Sequence, residues 1–232
     1  MIDESFTDEE IIDKLEKFLK ENPNLYDDEE LRIIRRSILW GKKGSLTYEN
    51  IRQVSDELGI VDENTNIYTG FAKLINENFD INRNVVEVGS GKLPRLAIKI
   101  RGLQTTGRVF VYDPVLTKKN YEDRHLILKR EMFNEDTIIP KDSLIVSFMP
   151  CEYTANLINY ATSNRHDFMI ALCGCNHYYS PYVDFDDSLH DWFANMEYLA
   201  RSGIEDNNLG GFGRAYLKKY DDPYPILYNK KK

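Results

Sequence analysis

The stretch Val85-Val86-Glu87-Val88-Gly89-Ser90-Gly91-Lys92-Leu93-Pro94 runs from a short apolar segment through two alternating glycines into a residue that tolerates a first helical turn. Backbone without a Cβ can approach a ligand closely, and the first turn of a helix presents N–H groups that lack intrahelical acceptors. Asp113 stands 22 residues after Gly91, at the end of Val109-Phe110-Val111-Tyr112, where a carboxylate can accept hydrogen bonds from ribose hydroxyls. Strand, glycine turn, helix, strand and terminal acid in that order point to a nucleotide-type cofactor. A dinucleotide fingerprint places a third glycine where Pro94 stands, so this chain departs from the nicotinamide and flavin pattern. Glu87 separates the classes further: a carboxylate is badly placed beside a pyrophosphate and well placed to attract the ammonium of an amino-acid ligand.

A second group of reactive residues follows two later strands. Ser143 to Met149 reads as a strand ending in Pro150-Cys151-Glu152, and the next strand ends in Cys173-Gly174-Cys175-Asn176-His177-Tyr178-Tyr179. Three uses are open. Cys151, Cys173, Cys175 and His177 could ligate zinc, although Cys-x-Cys-x-His is not finger spacing. Glu152 or His177 could take a proton from a substrate, with Tyr178 and Tyr179 packing on it. Cys151 and Cys173 could simply be small buried residues at a tight sheet edge. The cysteines are read as structural with no metal, and Glu152 and His177 as the catalytic candidates. His125, His166 and His190 are assigned to surface or helix positions. Arg35, Arg36, Lys42 and Lys43 near Trp40 are read as a solvated helix face, and Gly210-Gly211-Phe212-Gly213 as a flexible connection.

These residues need a frame to bring them together. The first 80 residues read as helices without strands. Thr7 and Glu10 have capping-box spacing ahead of Ile11, Ile12, Leu15, Phe18 and Leu19, and the helix should stop near Asn22 and Pro23. A second helix follows Asp27 or Asp28 with Leu31, Ile34, Ile38 and Leu39. A third carries Ile51, Val54 and Leu58 before Gly59, and a fourth Tyr68, Phe71, Leu74 and Ile75. From Asn82 onward, Val85 to Val88, Val109 to Tyr112, Leu144 to Phe148 and Phe168 to Leu172 are runs of the kind buried in a parallel sheet. Crossover helices are expected at Pro94 to Ile100, after Pro114 and at Tyr153 to Ala161. Ser188 to Arg201 should form a further helix ending near Gly203, followed by a hairpin of Arg214 to Tyr220 and Pro225 to Tyr228. The expectation is a helical N-terminal cap over residues 1–80 and a doubly wound α/β domain over residues 81–232, with ligands at the carboxyl ends of its strands.

Composition narrows the setting. The 232 residues are 42% hydrophobic and 12% aromatic, enough for a packed core and unlike a disordered chain. The three cysteines cannot all pair within one chain, which favours a reducing, cytoplasmic compartment. The start of the chain is acidic where a signal peptide is basic and then apolar, and no run approaches the ~20 apolar residues of a membrane span. With 30 Lys and Arg against 38 Asp and Glu, the net charge of −8 opposes indiscriminate binding to polyanions. A local RNA site remains compatible with that balance.

Glu87, Gly89 and Gly91, with Asp113 after the second strand, resemble the first motifs of class I S-adenosylmethionine-dependent methyltransferases, although the third alternating position is Leu93. The resemblance covers roughly Asn82 to the C-terminus. It implies a mostly parallel seven-stranded sheet closed by an antiparallel C-terminal hairpin. It also implies S-adenosyl-L-methionine as cofactor: the loop of Gly89, Ser90 and Gly91 at its methionine part, Glu87 orienting its amino-acid end and Asp113 on its ribose. Pro114, Met149 and Pro150 complete the set, with adenine near Pro114 and a third strand around Lys129 to Phe133. The implied reaction is direct displacement, in which an acceptor attacks the methyl carbon of the sulfonium while the protein aligns the two. The turns at Pro150-Cys151-Glu152 and Cys173-Gly174-Cys175 are loosely similar to those of a Cys-containing methyltransferase-like branch, some of it linked to RNA. RNA, protein and small molecule all remain open as acceptor. A non-catalytic S-adenosylmethionine-binding or interaction module is the alternative reading, and an NAD-dependent oxidoreductase the third.

Overall fold

The structure, a computed structural model, describes residues 8–21, 35, 38, 67–116, 123–150, 153–172, 189–219 and 222–230. The chain divides into two compact units, Met1–Gly70 and Phe71–Lys232. In the first, helix α1 (Asp8–Glu21) buries Ile12 and Leu15, which lie three residues apart on one helical stripe. Of the second expected helix only Arg35 and Ile38 are described, both helical and Ile38 buried, while the third expected helix and Thr7 lie outside the described residues. Helix α2 (Ile67–Asn78) follows the stripe expected for it.

Apolar runs flanked by turns give a sheet because each can bury both of its faces. Strands β1 (Val85–Val88) and β2 (Val109–Tyr112) flank helix α3 (Arg95–Leu103) in sequence. Then come β3 (Leu126–Lys129), β4 (Leu144–Phe148), α4 (Thr154–Ser163) and β5 (Asp167–Ala171). Helix α5 (Leu189–Asp206) leads into the closing pair β6 (Gly211–Lys219) and β7 (Asp222–Lys230). The seven strands lie in the order β3-β2-β1-β4-β5-β7-β6. β1 to β5 are parallel, and β7 runs antiparallel to both β5 and β6. This is the mostly parallel sheet with an antiparallel hairpin that the sequence implies.

The two faces differ in what covers them. Val86, Val88, Ile145, Phe168, Ile170 and Leu227 join α4 and α5 in one cluster through Leu157, Ile158, Ala161, Trp192, Met196 and Ile204. On the opposite face Glu87 meets α3, and Phe71 of α2 meets Phe148 at 5.8 Å between ring centroids. Asn229 stitches the hairpin to β5: it accepts the Phe168 N–H and donates to Asp167 Oδ1. No helix among the described residues is long and apolar enough to cross a membrane.

Several boundaries move. The third strand is Leu126–Lys129 rather than Lys129 to Phe133, because Leu126 to Lys129 pairs with Val109 to Tyr112. Phe133 is buried for another reason, with its ring 5.3 Å from that of Tyr112 and 4.7 Å from that of Tyr160. Helix α5 continues past Gly203 to Asp206, since Ile204 extends the buried stripe of Met196 and Ala200. Gly211 to Gly213 are not a free connection: they open β6, paired with Lys230, Asn229 and Tyr228. His166 is not on the surface. It is buried beside the Tyr160 ring, and that burial holds its pKa below the usual histidine value.

Candidate functional site

Parallel pairing sets the site. Val88 of β1 lies level with Tyr112 of β2, so the residues that follow them, Gly89 and Asp113, emerge side by side at the carboxyl edge. Gly89 donates its N–H to Tyr112 O at 3.0 Å, extending the ladder by one bond before the chain turns away. Gly89 and Gly91 then take φ of +74° and +70°, the left-handed region that a side chain rarely enters. A Cβ on Gly91 would meet nothing within 4 Å, so the outer side of the loop is open, whereas Gly89 is backed by Pro150 at 3.7 Å.

Asp113 is fixed by two backbone donors. Its Oδ2 accepts the Gly91 N–H and its Oδ1 the Val115 N–H, each at 2.8 Å. One carboxylate therefore ties the loop after β1 to the turn after β2. A carboxylate offers about four lone-pair positions, so two remain for outside donors such as a pair of hydroxyls. Pro114, next in the chain, is exposed, and its carbonyl accepts from Arg130 Nε at 3.4 Å. Ser90 is half-buried and bonds the Gly91 carbonyl.

Glu87 faces the other way. With Asp113 it is one of the two buried acids among the described residues, and its Oε2 accepts the Ala97 N–H in the first turn of α3 at 2.9 Å. That bond satisfies an otherwise orphaned helix donor in place of a local cap: Pro94 precedes α3 and offers no side-chain acceptor. Burial pushes the Glu87 pKa up to about 8, against the lowering effect of the Ala97 N–H, and the neighbouring Asp113 charge adds to the rise. The carboxyl thus acts on the helix that the loop feeds, from beneath the loop.

The end of β4 completes the edge. Ser147 Oγ donates to Val88 O at 2.5 Å, joining β4 to the last residue of β1. Met149 takes φ of +57°, uncommon for a residue with a long side chain, and its N–H bonds Ala171 O of β5. Pro150 is buried and accepts the Tyr153 N–H ahead of α4. Glu87, Gly89, Ser90, Gly91, Asp113, Met149 and Pro150 are therefore carried to the ends of three adjacent strands. Glu152, His177, Cys151, Cys173 and Cys175 lie outside the described residues. Among the described residues no group of three or more His, Cys, Asp or Glu side chains could hold a metal ion. Ser147, Ala97 and Val115 carry no signal in the sequence. Backbone donors carry no side-chain signature, and a serine within a β-run resembles any other.

The sequence matches no protein-family model and no curated protein. Solved structures do match. Magnesium protoporphyrin IX methyltransferase from Synechocystis PCC 6803, crystallised with S-adenosylmethionine, is 11% identical, with 81% of this chain and 86% of that one covered and a TM-score of 0.50. The fold is that of the class I Rossmann-like methyltransferases. A precorrin-6y C5,15-methyltransferase from Geobacter metallireducens GS-15 is 12% identical over 70% of this chain and 87% of its own, with a TM-score of 0.41. The 23S rRNA methyltransferase ErmE is 12% identical over 73% and 69%, with a TM-score of 0.39. Within the methyltransferase fold, the glycine loop and Asp113 sit where β1 and β2 end at the middle of the sheet, the region in which open α/β sheets bind ligands.

Proposed function

We propose that the chain is a methyltransferase that binds S-adenosyl-L-methionine at the carboxyl ends of β1, β2 and β4. The observation that carries this reading is the Asp113 carboxylate, held by the Gly91 and Val115 N–H groups at the mouth of the glycine loop with acceptor capacity left over. A ribose edge with two hydroxyl donors fits that arrangement. In this reading Gly89, Ser90 and Gly91 pass along the methionine part, Pro114 borders the adenine, and Met149 and Pro150 close the β4 side. Glu87 sets the direction of α3 through Ala97 and is mostly protonated at neutral pH by its burial, so it attracts the cationic amino-acid end only where that cation draws its pKa down.

Bound S-adenosylmethionine supplies an electrophilic methyl group to a nucleophilic acceptor. The residues described here bind and orient; they do not themselves react. Asp113 ties the loop to the turn after β2, and Ser147 ties β1 to β4, hydrogen bonds that lower the cost of ordering the edge around a ligand. Glu152 and His177 remain the proposed acceptor-side groups, able to accept a proton from the acceptor as the methyl group arrives. The acceptor itself is RNA, a protein side chain or a small molecule. A cytoplasmic location belongs to the same reading, supported by three cysteines that one chain cannot fully pair.

The test is calorimetric titration of S-adenosylmethionine into the wild type and Asp113→Ala, followed by transfer of labelled methyl groups to fractionated extract. Tight binding to the wild type that weakens in the variant, with label in one fraction, is the expected result. Binding without transfer to any fraction would turn the reading towards a non-catalytic module, and binding of NAD alone would remove it.

A further inference from the structure

Helix α5 and the hairpin enclose a trough of about 480 Å³ that uses none of the residues of the glycine loop or the Asp113 turn. That volume is in the range of small-molecule pockets. Its floor is apolar: Leu172, at the end of β5, and Pro225 and Leu227 of β7 are all buried. Its sides are aromatic. Phe193 and Tyr198 come from α5, and Tyr216 from β6; Tyr198 is 71% exposed and Tyr216 52%.

One end of the trough is cationic. Glu197 of α5 receives Nε and Nη2 of Arg201, at 3.0 and 2.7 Å, on one oxygen and Nη1 of Arg214, at 2.7 Å, on the other. Burial opposes ionisation of Glu197, but these hydrogen bonds hold its pKa below the usual value, so the carboxylate is charged at neutral pH. Two guanidiniums face one carboxylate, leaving one positive charge in excess. Only three of the roughly ten N–H donors that two guanidiniums carry are used by Glu197. Both arginines are also held from behind: Arg201 lies 4.0 Å above the Phe212 ring, and Arg214 lies 5.4 Å from that of Tyr216. They are preorganised and half exposed.

We infer that this trough binds a small amphipathic monoanion: a flat, apolar body between Tyr198 and Tyr216, and a carboxylate on the unused donors of Arg201 and Arg214. A single excess charge beside Glu197 suits one acidic group and disfavours a polyanion, in keeping with the net charge of −8. Arginine is suited to the task because its planar fork meets a carboxylate with two parallel hydrogen bonds.

Titration of cinnamate into the full chain, with cinnamyl alcohol, acetate and a short oligouridylate as comparisons, tests the assignment without involving S-adenosylmethionine. Its outcome is therefore separate from the cofactor reading. Cinnamate should bind about tenfold more tightly than the alcohol, the scale of one charge-assisted hydrogen-bond set, and more tightly than acetate. Arg214→Gln should remove that preference, whereas Glu197→Gln should strengthen cinnamate binding by releasing both guanidiniums. A merely structural ion-pair cluster would give weaker or unchanged binding in both variants. Absence of cinnamate binding, equal affinity for acid and alcohol, failure of Glu197→Gln to tighten it, or displacement of cinnamate by oligouridylate would each overturn the proposal.

Discussion

Glu87 and Asp113 are two carboxyl groups beside the same loop, one in the strand that feeds it and one after the neighbouring strand, and their surroundings give them different duties. Asp113 accepts two N–H bonds at the rim, while Glu87 is enclosed under α3 with one. Because the folded state raises the Glu87 pKa from 4.5 to about 8, its contribution to stability is fully present below about pH 4.5 and lost as pH rises through about 8. Urea unfolding across that window should show stability declining with pH, and Glu87→Gln should remove this component while keeping an acceptor for Ala97. The difference between the two chains isolates Glu87 from His166, whose lowered pKa works in the opposite sense. A wild type and variant with parallel pH profiles would show that Glu87 titrates normally. For Asp113, replacement by Ala should weaken S-adenosylmethionine binding by about 1–3 kcal/mol, the cost of leaving buried hydroxyls without a charged partner. An unchanged affinity in a folded variant would take Asp113 out of the site.

At the scale of elements, two helical glycines make opposite predictions. Glycine costs a helix roughly 0.5–1 kcal/mol relative to alanine, so Gly102→Ala, where a Cβ would meet nothing within 4 Å, should raise the unfolding midpoint slightly. In Gly203→Ala the Cβ would lie 2.7 Å from Thr162 Oγ1 of α4, and overpacking of about 1–3 kcal/mol outweighs the gain in propensity. That variant should be less stable, and a stabilised one would mean that α4 and α5 do not approach so closely. The same contrast shows what was legible in the sequence. Buried parallel strands are apolar on both faces, so β1 and β2 are legible to the residue and β4 to within one at each end. The third strand lies earlier than the sequence pattern suggests, because Phe133 is as apolar as a strand residue but is buried by rings from elsewhere. Gly203 suggests a nearby helix end in sequence, and only its neighbour across the helix pair, Thr162, shows why it is there. At the site, the glycines and Asp113 carry a spacing signal. Met149, by contrast, adopts a backbone conformation that its residue type does not announce.

For the whole molecule, the excess of acidic over basic residues acts on association rather than on fold. Any binding to duplex RNA without sequence preference should therefore be weak and vanish with added salt, which a filter-binding series over ionic strength checks. Tight binding at physiological ionic strength would contradict this and reveal a local basic patch that the net charge conceals. The central claim, that the edge made by β1, β2 and β4 is an S-adenosylmethionine site, rests on the joint placement of Gly89, Gly91 and Asp113. Thermal or denaturant unfolding with S-adenosylmethionine, S-adenosylhomocysteine and NAD in parallel tests it most directly. A ligand at a hundred times its dissociation constant adds about 2.7 kcal/mol to the native state. Both sulfur-containing ligands should shift unfolding by an amount on that scale, NAD should not, and Asp113→Ala should reduce the shift. Stabilisation by NAD alone, or no shift with either S-adenosyl ligand at saturating concentration, would contradict the assignment.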